Sequence, residues 1–406
     1  MLEIKAISPS GSAHQANLAK DQPMDWSQFR TEMPVTQRWA YFDHAAVGAI
    51  PQLAFDRISR WANEALLDGH ASWGSWSKLH EAARHTAAQL VNAQPSEISL
   101  VPNTSFGINL VAEGFPWNAG DNVVIPDHEF PSNIYPWMQL KDRGVELRIV
   151  PLDGVRLPVN AILDAIDSRT RIVSVSWVGY ASGYRVDPCE LAERVHQRGA
   201  LFFLDAIQGL GVFPLDVRKT PIDFFAADGH KWLLGPEGAG LFYLREEHLN
   251  LLRPLNIGWN SVSQGNDFSR VDLNLRRAAS RYESGTQNMA GFIGLGAGLE
   301  TLAKFGLGPT HSAIGQRILE LTDILAERML RAGWVLASDR SSEAVKSGIL
   351  SFEIPGCDSR QLKLQLHAEK VVLSFRGGKL RLAVHAFNDE SDFDRLFAAV
   401  QKLTGK

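Results

Sequence analysis

A chain of 406 residues exceeds what one hydrophobic core usually holds, so two folding units are expected. With 45% hydrophobic and 21% charged residues it reads as globular, and a formal net charge of −4 without a basic run excludes a nucleic-acid partner. The two cysteines, Cys189 and Cys357, make neither a disulfide framework nor a zinc or other metal site and fit a cytoplasmic setting, and no apolar window is long enough for a membrane span.

Residues 1 to 24 are polar, lack the apolar stretch of a signal peptide, and read as a flexible arm. Trp39 to Ile50 is a short extended piece and a small-residue loop, in which Asp43-His44 by itself reads as a turn. Residues 52–68 and 77–92 carry apolar residues at helical spacing, and Ser72 to Trp76 between them reads as an exposed aromatic loop. A strand then gives way to a helix at Asn103, Thr104 and Ser105, which are helix-capping residues; such an end also favours an anion. Asn122–Pro126 is a buried strand followed by the loop Asp127 to Trp137. Glu146–Pro151 and Arg171–Val178 are further strands, and Pro188–Gly199 is an amphipathic helix leading to Leu201. Strands also fall at Phe224 and Leu241. The alternation from Glu97 to Leu244 predicts a mostly parallel α/β sheet, whose strand-end loops bind ligands. Gly294 to Gly298 lies inside a helical run, Met289 to Phe305, and so is not a dinucleotide-binding loop. From Gly308 the pattern changes to a long helix, Pro309 to Ala332, then short strands at Trp334–Leu336 and Gly348–Ile354. A helix at Ser359–Ala368, strands near Val371–Phe375 and Leu380–His385, and a helix at Ser391–Leu403 complete a small α+β unit. The expected division is a large α/β domain, residues 41–305, and a small α+β domain made of residues 25–40 and 306–406.

Two charged residues stand where charge is costly. Leu201-Phe-Phe-Leu204 ends in Asp205, and the apolar run at Phe224 ends in Gly229-His230-Lys231 before a Gly/Pro-rich turn. A carboxylate at the end of a buried strand needs a positive partner. A lysine alone would be read as reaching out to solvent. Together, after neighbouring strands, the two can grip the ends of a pyridine ring: the Asp keeps a ring nitrogen protonated and the Lys amine forms an imine with an aldehyde. Pyridoxal 5'-phosphate needs that arrangement.

With these residues the sequence resembles the class V aminotransferase family of fold-type I pyridoxal phosphate-dependent enzymes, from about Tyr41 to the end of the chain. Asp205-Ala-Ile-Gln208 and Gly229-His-Lys231 are its most specific parts. The resemblance implies further roles. Gln208 would hydrogen-bond the cofactor's phenolic oxygen or imine. Thr104, Ser105 and His230 would hold its phosphate. Arg281-Tyr-Glu-Ser-Gly-Thr286 resembles a family run whose Thr reaches the phosphate of the other protomer, which makes the protein a homodimer with a shared active site. The alternative for Thr286 is a cap of the helix from Met289. Arg381, in Leu380 to Asn388, would clamp the substrate α-carboxylate, and the loop with His44 would border the substrate. Desulfurases stack a histidine on the pyridine ring where this chain has Pro131; Phe130-Pro-Ser-Asn133 instead resembles kynureninase, so Phe130 is the expected stacking ring.

The departures from desulfurases matter as much. Phe106 replaces an acidic residue, no Asn stands near Tyr180, and Asp228 replaces a Ser or Gly, with its role open. The loop that carries their nucleophilic cysteine reads Ser374-Phe-Arg-Gly-Gly-Lys379, without a thiol, and Cys357 is on another segment. The reading is an enzyme acting at the α-carbon of an amino acid. The Asp228-Gly-His-Lys-Trp run is most similar to isopenicillin N epimerase-like proteins, which implies an epimerase or an aminotransferase. The Phe-Pro-Ser run supports a kynureninase-like hydrolase or C–S lyase as the alternative. An inactive scaffold of the same fold is the reading from another class, and the filled Lys, Asp, Gln, His, Thr and Arg positions oppose it.

Overall fold

The computed structural model describes residues 24–405. The expected arm lies outside them except for Met24, which packs against the core. The first half of the chain forms α1 (Trp26–Thr31), β1 (Ala40–Tyr41), α2 (Gln52–Leu67), α3 (Trp73–Val91), β2 (Ile98–Val101), α4 (Thr104–Gly114), β3 (Asn122–Pro126), α5 (Tyr135–Gln139), β4 (Glu146–Val150), α6 (Val159–Asp164), β5 (Thr170–Ser176) and α7 (Pro188–Gln197). There follow β6 (Leu201–Asp205), β7 (Phe224–Asp228), β8 (Gly240–Leu244), α8 (Met289–Lys304), α9 (Ala313–Arg331), β9 (Val335–Leu336), β10 (Ile349–Glu353), α10 (Ser359–Ala368), β11 (Val371–Val372), β12 (Ser374–Arg376), β13 (Lys379–Ala383) and α11 (Glu390–Thr404).

The large sheet has seven strands in the order β2-β8-β7-β6-β5-β3-β4. β3 to β7 are parallel, and β8 runs against both β7 and β2. β2 therefore points the same way as β7. The apolar runs at Leu201 and Phe224 become strands buried on both faces, as helix-covered parallel sheets require. From β3 the chain steps outward to β4, whereas β5, β6 and β7 follow one another in the other direction. The carboxyl ends beside this reversal form the crevice where open α/β sheets bind ligands.

Helix starts follow the local sequence. The Asn103 side chain accepts the Phe106 N–H at α4, and Asp187, just before Pro188, accepts those of Cys189 and Glu190 at α7. Ser72 to Trp76 is not the expected exposed loop. It runs straight into α3, where Trp76 is buried and donates its indole N–H to Glu64 at 2.8 Å. The glycines of α8 serve packing: at Gly294 and Gly296 the helix lies against Ile58 of α2 and Ala83 of α3, with no room for larger side chains.

A second sheet, β12-β13-β10-β9, is antiparallel. It packs with α9, α10 and α11 around Leu325, Leu350, Phe352, Leu382, Phe393 and Leu396. The segment 25–40 divides between the two cores instead of joining the second one whole: Phe29 and Met33 belong to the core of the large sheet, with Phe29 stacked on Phe305 at 4.4 Å, while Ala40 belongs to the other. No helix among the described residues is long and apolar enough to cross a membrane.

A buried ion pair fastens the helical layer to the sheet edge. Arg84 of α3 makes a two-pronged bond to Glu283, at 2.5 and 2.8 Å, and donates to the Ile98 carbonyl. Glu283 also accepts the Leu100 N–H at 2.7 Å. Replacing Arg84 with Leu leaves the Glu283 carboxylate buried with one donor. The expected loss is about 3–5 kcal/mol of unfolding free energy, read from urea denaturation.

Candidate active site

β7 ends at Asp228, and the chain turns through Gly229, His230 and Lys231 instead of extending the sheet. Two neighbouring segments hold this turn. The Gly48 amide donates to the His230 carbonyl at 2.6 Å, and any side chain at Gly48 would collide with the Lys231 carbonyl oxygen. Gln208, on the turn after β6, donates Nε2 to the Ala45 carbonyl at 3.0 Å and accepts the Trp232 indole N–H on Oε1 at 2.7 Å. An indole only donates and a carbonyl only accepts, so the amide has one possible orientation.

Lys231 is 7% exposed, and its amine is pushed down to about 8, mainly by burial. Asp205 and Asp228 oppose that shift, while Arg381 and Arg376 add to it. Asp205, at the end of β6, is 2% exposed and accepts the Ile207 N–H at 3.1 Å. Burial pushes its carboxyl up to about 6, against the pull of Lys231. The expected pair is thus brought together, with both groups moved towards neutrality, as functional acids and bases are.

Phe130 follows β3. Its ring centroid is 5.5 Å from the Lys231 Nζ, and the Tyr180 ring meets it edge-on at 5.3 Å. Beside it lies a group that the sequence reading missed. Glu129 is buried, accepts the Ser176 backbone N–H at 2.7 Å and the Ser176 hydroxyl, and is pushed up to about 7, first by burial. Its one sequence signal is its place in a strand-end loop.

Arg381 of β13 is 1% exposed. Its Nε donates to the Ser374 hydroxyl at 3.0 Å, and its Nη1 donates to the Tyr180 carbonyl at 2.6 Å. Its Nη2 lies 3.5 Å from the Asp43 carboxylate and makes no hydrogen bond. Burial lowers the guanidinium to about 10 and raises the Asp43 carboxyl, which the Ser374 hydroxyl bonds at 2.7 Å.

The start of α4 shares this edge because β2 and β7 point the same way. Thr104 is buried there with its hydroxyl unpartnered, and the Ser105 hydroxyl bonds that of Ser132 at 2.7 Å. His230 Nδ1 lies 3.0 Å from the Asp228 carboxylate but out of line for a hydrogen bond. Buried polar atoms without partners are rare and costly. Here three of them, on Thr104, His230 and Arg381, belong to the residues expected to meet a phosphate and a carboxylate, so the residues fit the anionic groups of pyridoxal phosphate and an amino acid.

One expectation meets a different geometry. His44 is fully buried among Trp232, His385 and Phe387, with ring centroids 5.8, 4.7 and 5.1 Å away, and burial pushes its imidazole down to about 3. It packs the 43–48 loop and presents no surface to a ligand. Thr286 is exposed, and its alternative as a helix cap does not hold, because α8 is capped by Asn288.

Residues 40–389 match the model of the family described as Aminotransferase class-V. A probable cysteine desulfurase of Methanothermobacter thermautotrophicus is 30% identical over 401 residues, covering 93% of this chain and 97% of its own length. Cysteine desulfurase CsdA of Escherichia coli is 29% identical, with 93% and 97% covered. The crystal structure of that CsdA superposes with a TM-score of 0.82 at 26% identity, over 94% of this chain and 98% of its own. A complex of the cystine C–S lyase C-DES with cysteine persulfide superposes with a TM-score of 0.84 at 22% identity, over 90% and 98%, a likeness of fold. The chain belongs to the class V aminotransferase family of fold-type I pyridoxal phosphate enzymes.

Proposed function

We propose that this chain is a lyase that cleaves the bond between Cβ and its substituent in an amino acid, of the C–S lyase kind, without a thiolate of its own. The observation that carries the reading is the β12–β13 hairpin. It closes through Gly377 and Gly378 alone, at φ of 56° and 80°, where desulfurases carry their cysteine in a loop. Cys357 sits in the turn after β10 and Cys189 at the start of α7, where burial and Glu193 hold its thiol up. The named relatives are cysteine desulfurases and a cystine C–S lyase. The epimerase and aminotransferase expectations find no support among them.

The residues divide the work. Arg381 receives the α-carboxylate on Nη2, which makes no hydrogen bond of its own and has only the Asp43 carboxylate at 3.5 Å. Asp205 holds the ring nitrogen of the cofactor; Thr104, Ser105 and His230 hold its phosphate, Phe130 its face, and the remaining N–H of Gln208 its phenolic oxygen. Bound pyridoxal phosphate supplies the electron sink for a carbanion at Cα. Lys231 Nζ takes the Cα proton, which its desolvated amine can do close to neutral pH. The bond from Cβ to its substituent then breaks, the substituent leaves with the electron pair, and the proton held on Lys231 is available to it. The three-carbon remainder hydrolyses to pyruvate and ammonia.

Epimerisation would need a second proton carrier. Phe130, at the expected stacking position, carries no proton to give, and Glu129 beside it is held by two bonds from Ser176. An inactive scaffold would gain nothing from a buried guanidinium left one bond short, which costs about 1–3 kcal/mol. The working unit in this reading is a homodimer. Phe268, Val271 and Leu273 leave an exposed apolar stretch before Thr286, which reaches the partner's phosphate site. The division into a large domain, 41–305, and a small one, 306–406, belongs to the same reading, with residues 25–40 shared between their two cores.

Borohydride reduction of the cofactor-loaded protein should leave cofactor covalently attached to the parent chain and none to Lys231→Ala. The parent should release pyruvate from S-alkylcysteines, and Cys357→Ser and Cys189→Ser should stay within about twofold of it. A tenfold loss in either cysteine variant, or Cα deuterium exchange without pyruvate, would overturn the lyase reading. In the cofactor-free protein, the stability difference between the parent and Asp205→Asn should depend on pH. The folded carboxyl near 6 lies above its unfolded value of about 3.9, so the parent loses stability as pH rises through that window. The melting-temperature gap between the two should therefore shift towards Asp205→Asn from pH 4 to 6 and level off above. A constant gap would show that Asp205 is not the group that titrates.

A further inference from the structure

A cavity of about 270 Å³ lies between the carboxyl ends of β3 and β5 and the β12–β13 hairpin. Its walls are mostly apolar, with Leu152, Val155, Leu157, Val175, Tyr180 and Tyr184. It is far larger than a cysteine side chain needs. It shares walls with the reaction site. Glu129 and Ser176 line it, and so does Tyr180, whose carbonyl holds Arg381 and whose ring meets Phe130.

The charges around it are unevenly committed. Asp127 accepts the Leu152 N–H at 2.8 Å, Glu129 is bonded by Ser176, and Lys379 pairs with Glu353 at 2.5 Å. Arg376 has no carboxylate partner among the described residues and bonds only the neighbouring Phe375 carbonyl, at 2.9 Å. It stands two residues from Ser374 on one strand, so the two side chains leave the same face. Ser374 on that face touches Arg381 and Asp43. The charge of Arg376 is also felt at Lys231, Arg381 and Asp43.

We propose that this cavity receives the substrate's side chain and that Arg376, on its wall, pairs with an anion carried by that side chain, so that the substrate is an amino acid with a long, mainly apolar side chain that bears a carboxylate or a similar group. The inference rests on the reading of Lys231 and Arg381 as the amino-acid site. It makes Arg376 a specificity residue where desulfurases place a nucleophile. Arg381 takes the α-carboxylate common to all amino acids, and Arg376 selects among them.

Calorimetric titration of the cofactor-loaded full chain with L-2-aminopimelate and L-2-aminoheptanoate isolates the terminal carboxylate, since the two ligands differ in little else. The parent should bind 2-aminopimelate about tenfold more tightly or better, the worth of one charge-assisted pair. Arg376→Ala should bring 2-aminopimelate down to the level of 2-aminoheptanoate, and Arg376→Lys should restore part of the preference. Arg381→Ala should weaken both ligands alike. Equal binding by the parent, a preference that survives in Arg376→Ala, or binding of neither ligand would each overturn the inference. Because binding is read without turnover, the lyase reading stands or falls separately, on borohydride trapping and pyruvate release.

Discussion

The site depends on one electrostatic constraint: a carboxylate and an amine, both nearly out of water, at the ends of adjacent strands. Neither could stay charged alone at such depth without a large desolvation cost. Burial moves Asp205 up to about 6 and Lys231 down to about 8, so between those values each charge is sustained by the other. The sheet sets this juxtaposition. β6 and β7 are parallel neighbours with Asp205 opposite Ala226, so β7 outruns β6 by two residues and the turn after it returns Lys231 over the Asp205 end. Gly48, Gln208 and Trp232 then fix the turn, which turns a costly pair of charges into a preorganised one.

The setting of Arg381 is built differently, across the two sheets. Arg381 is on β13 and Ser374 on β12, while Asp43 lies in the loop after β1 and Tyr180 after β5. The Ala383 N–H donates to the Phe42 carbonyl at 2.7 Å in the same region. Holding Arg381 and docking the smaller sheet against the larger are therefore the same set of bonds. The remaining guanidinium nitrogen, Nη2, makes no hydrogen bond and is held only by the Asp43 carboxylate at 3.5 Å.

Much of this was legible in the sequence because local physics dominates it. Apolar runs too continuous for half-exposed strands announced a buried parallel sheet, and charges at the ends of two such runs announced Asp205 and Lys231. What was not legible depends on partners far away in the chain. Glu129 is defined by Ser176, on another strand, and no local pattern marks a carboxylate whose donors come from there. His44 reads as a turn residue until His385 and Phe387, from the far end of the chain, close over it. Ser72 to Trp76 reads as an exposed loop because nothing nearby shows that Trp76 finds Glu64 on the preceding helix. At Thr286 only the cap alternative is settled: the helix begins at Met289, and Asn288, not Thr286, occupies its cap.

The hairpin at Gly377-Gly378 decides which branch of chemistry the rest of the site can serve. A thiolate that attacks a substrate sulfur must travel to it and then away with its cargo, which requires a loop with slack. Two residues at positive φ between hydrogen-bonded strands leave none. What the tight turn provides is a fixed direction for the side chains of β12, with Ser374 on Arg381 and Arg376 lining the cavity with Tyr180. In the proposed lyase reading the site has no sulfur acceptor of its own and releases its leaving group, and a roomy apolar cavity with one uncommitted cation is suited to holding a large one until it departs.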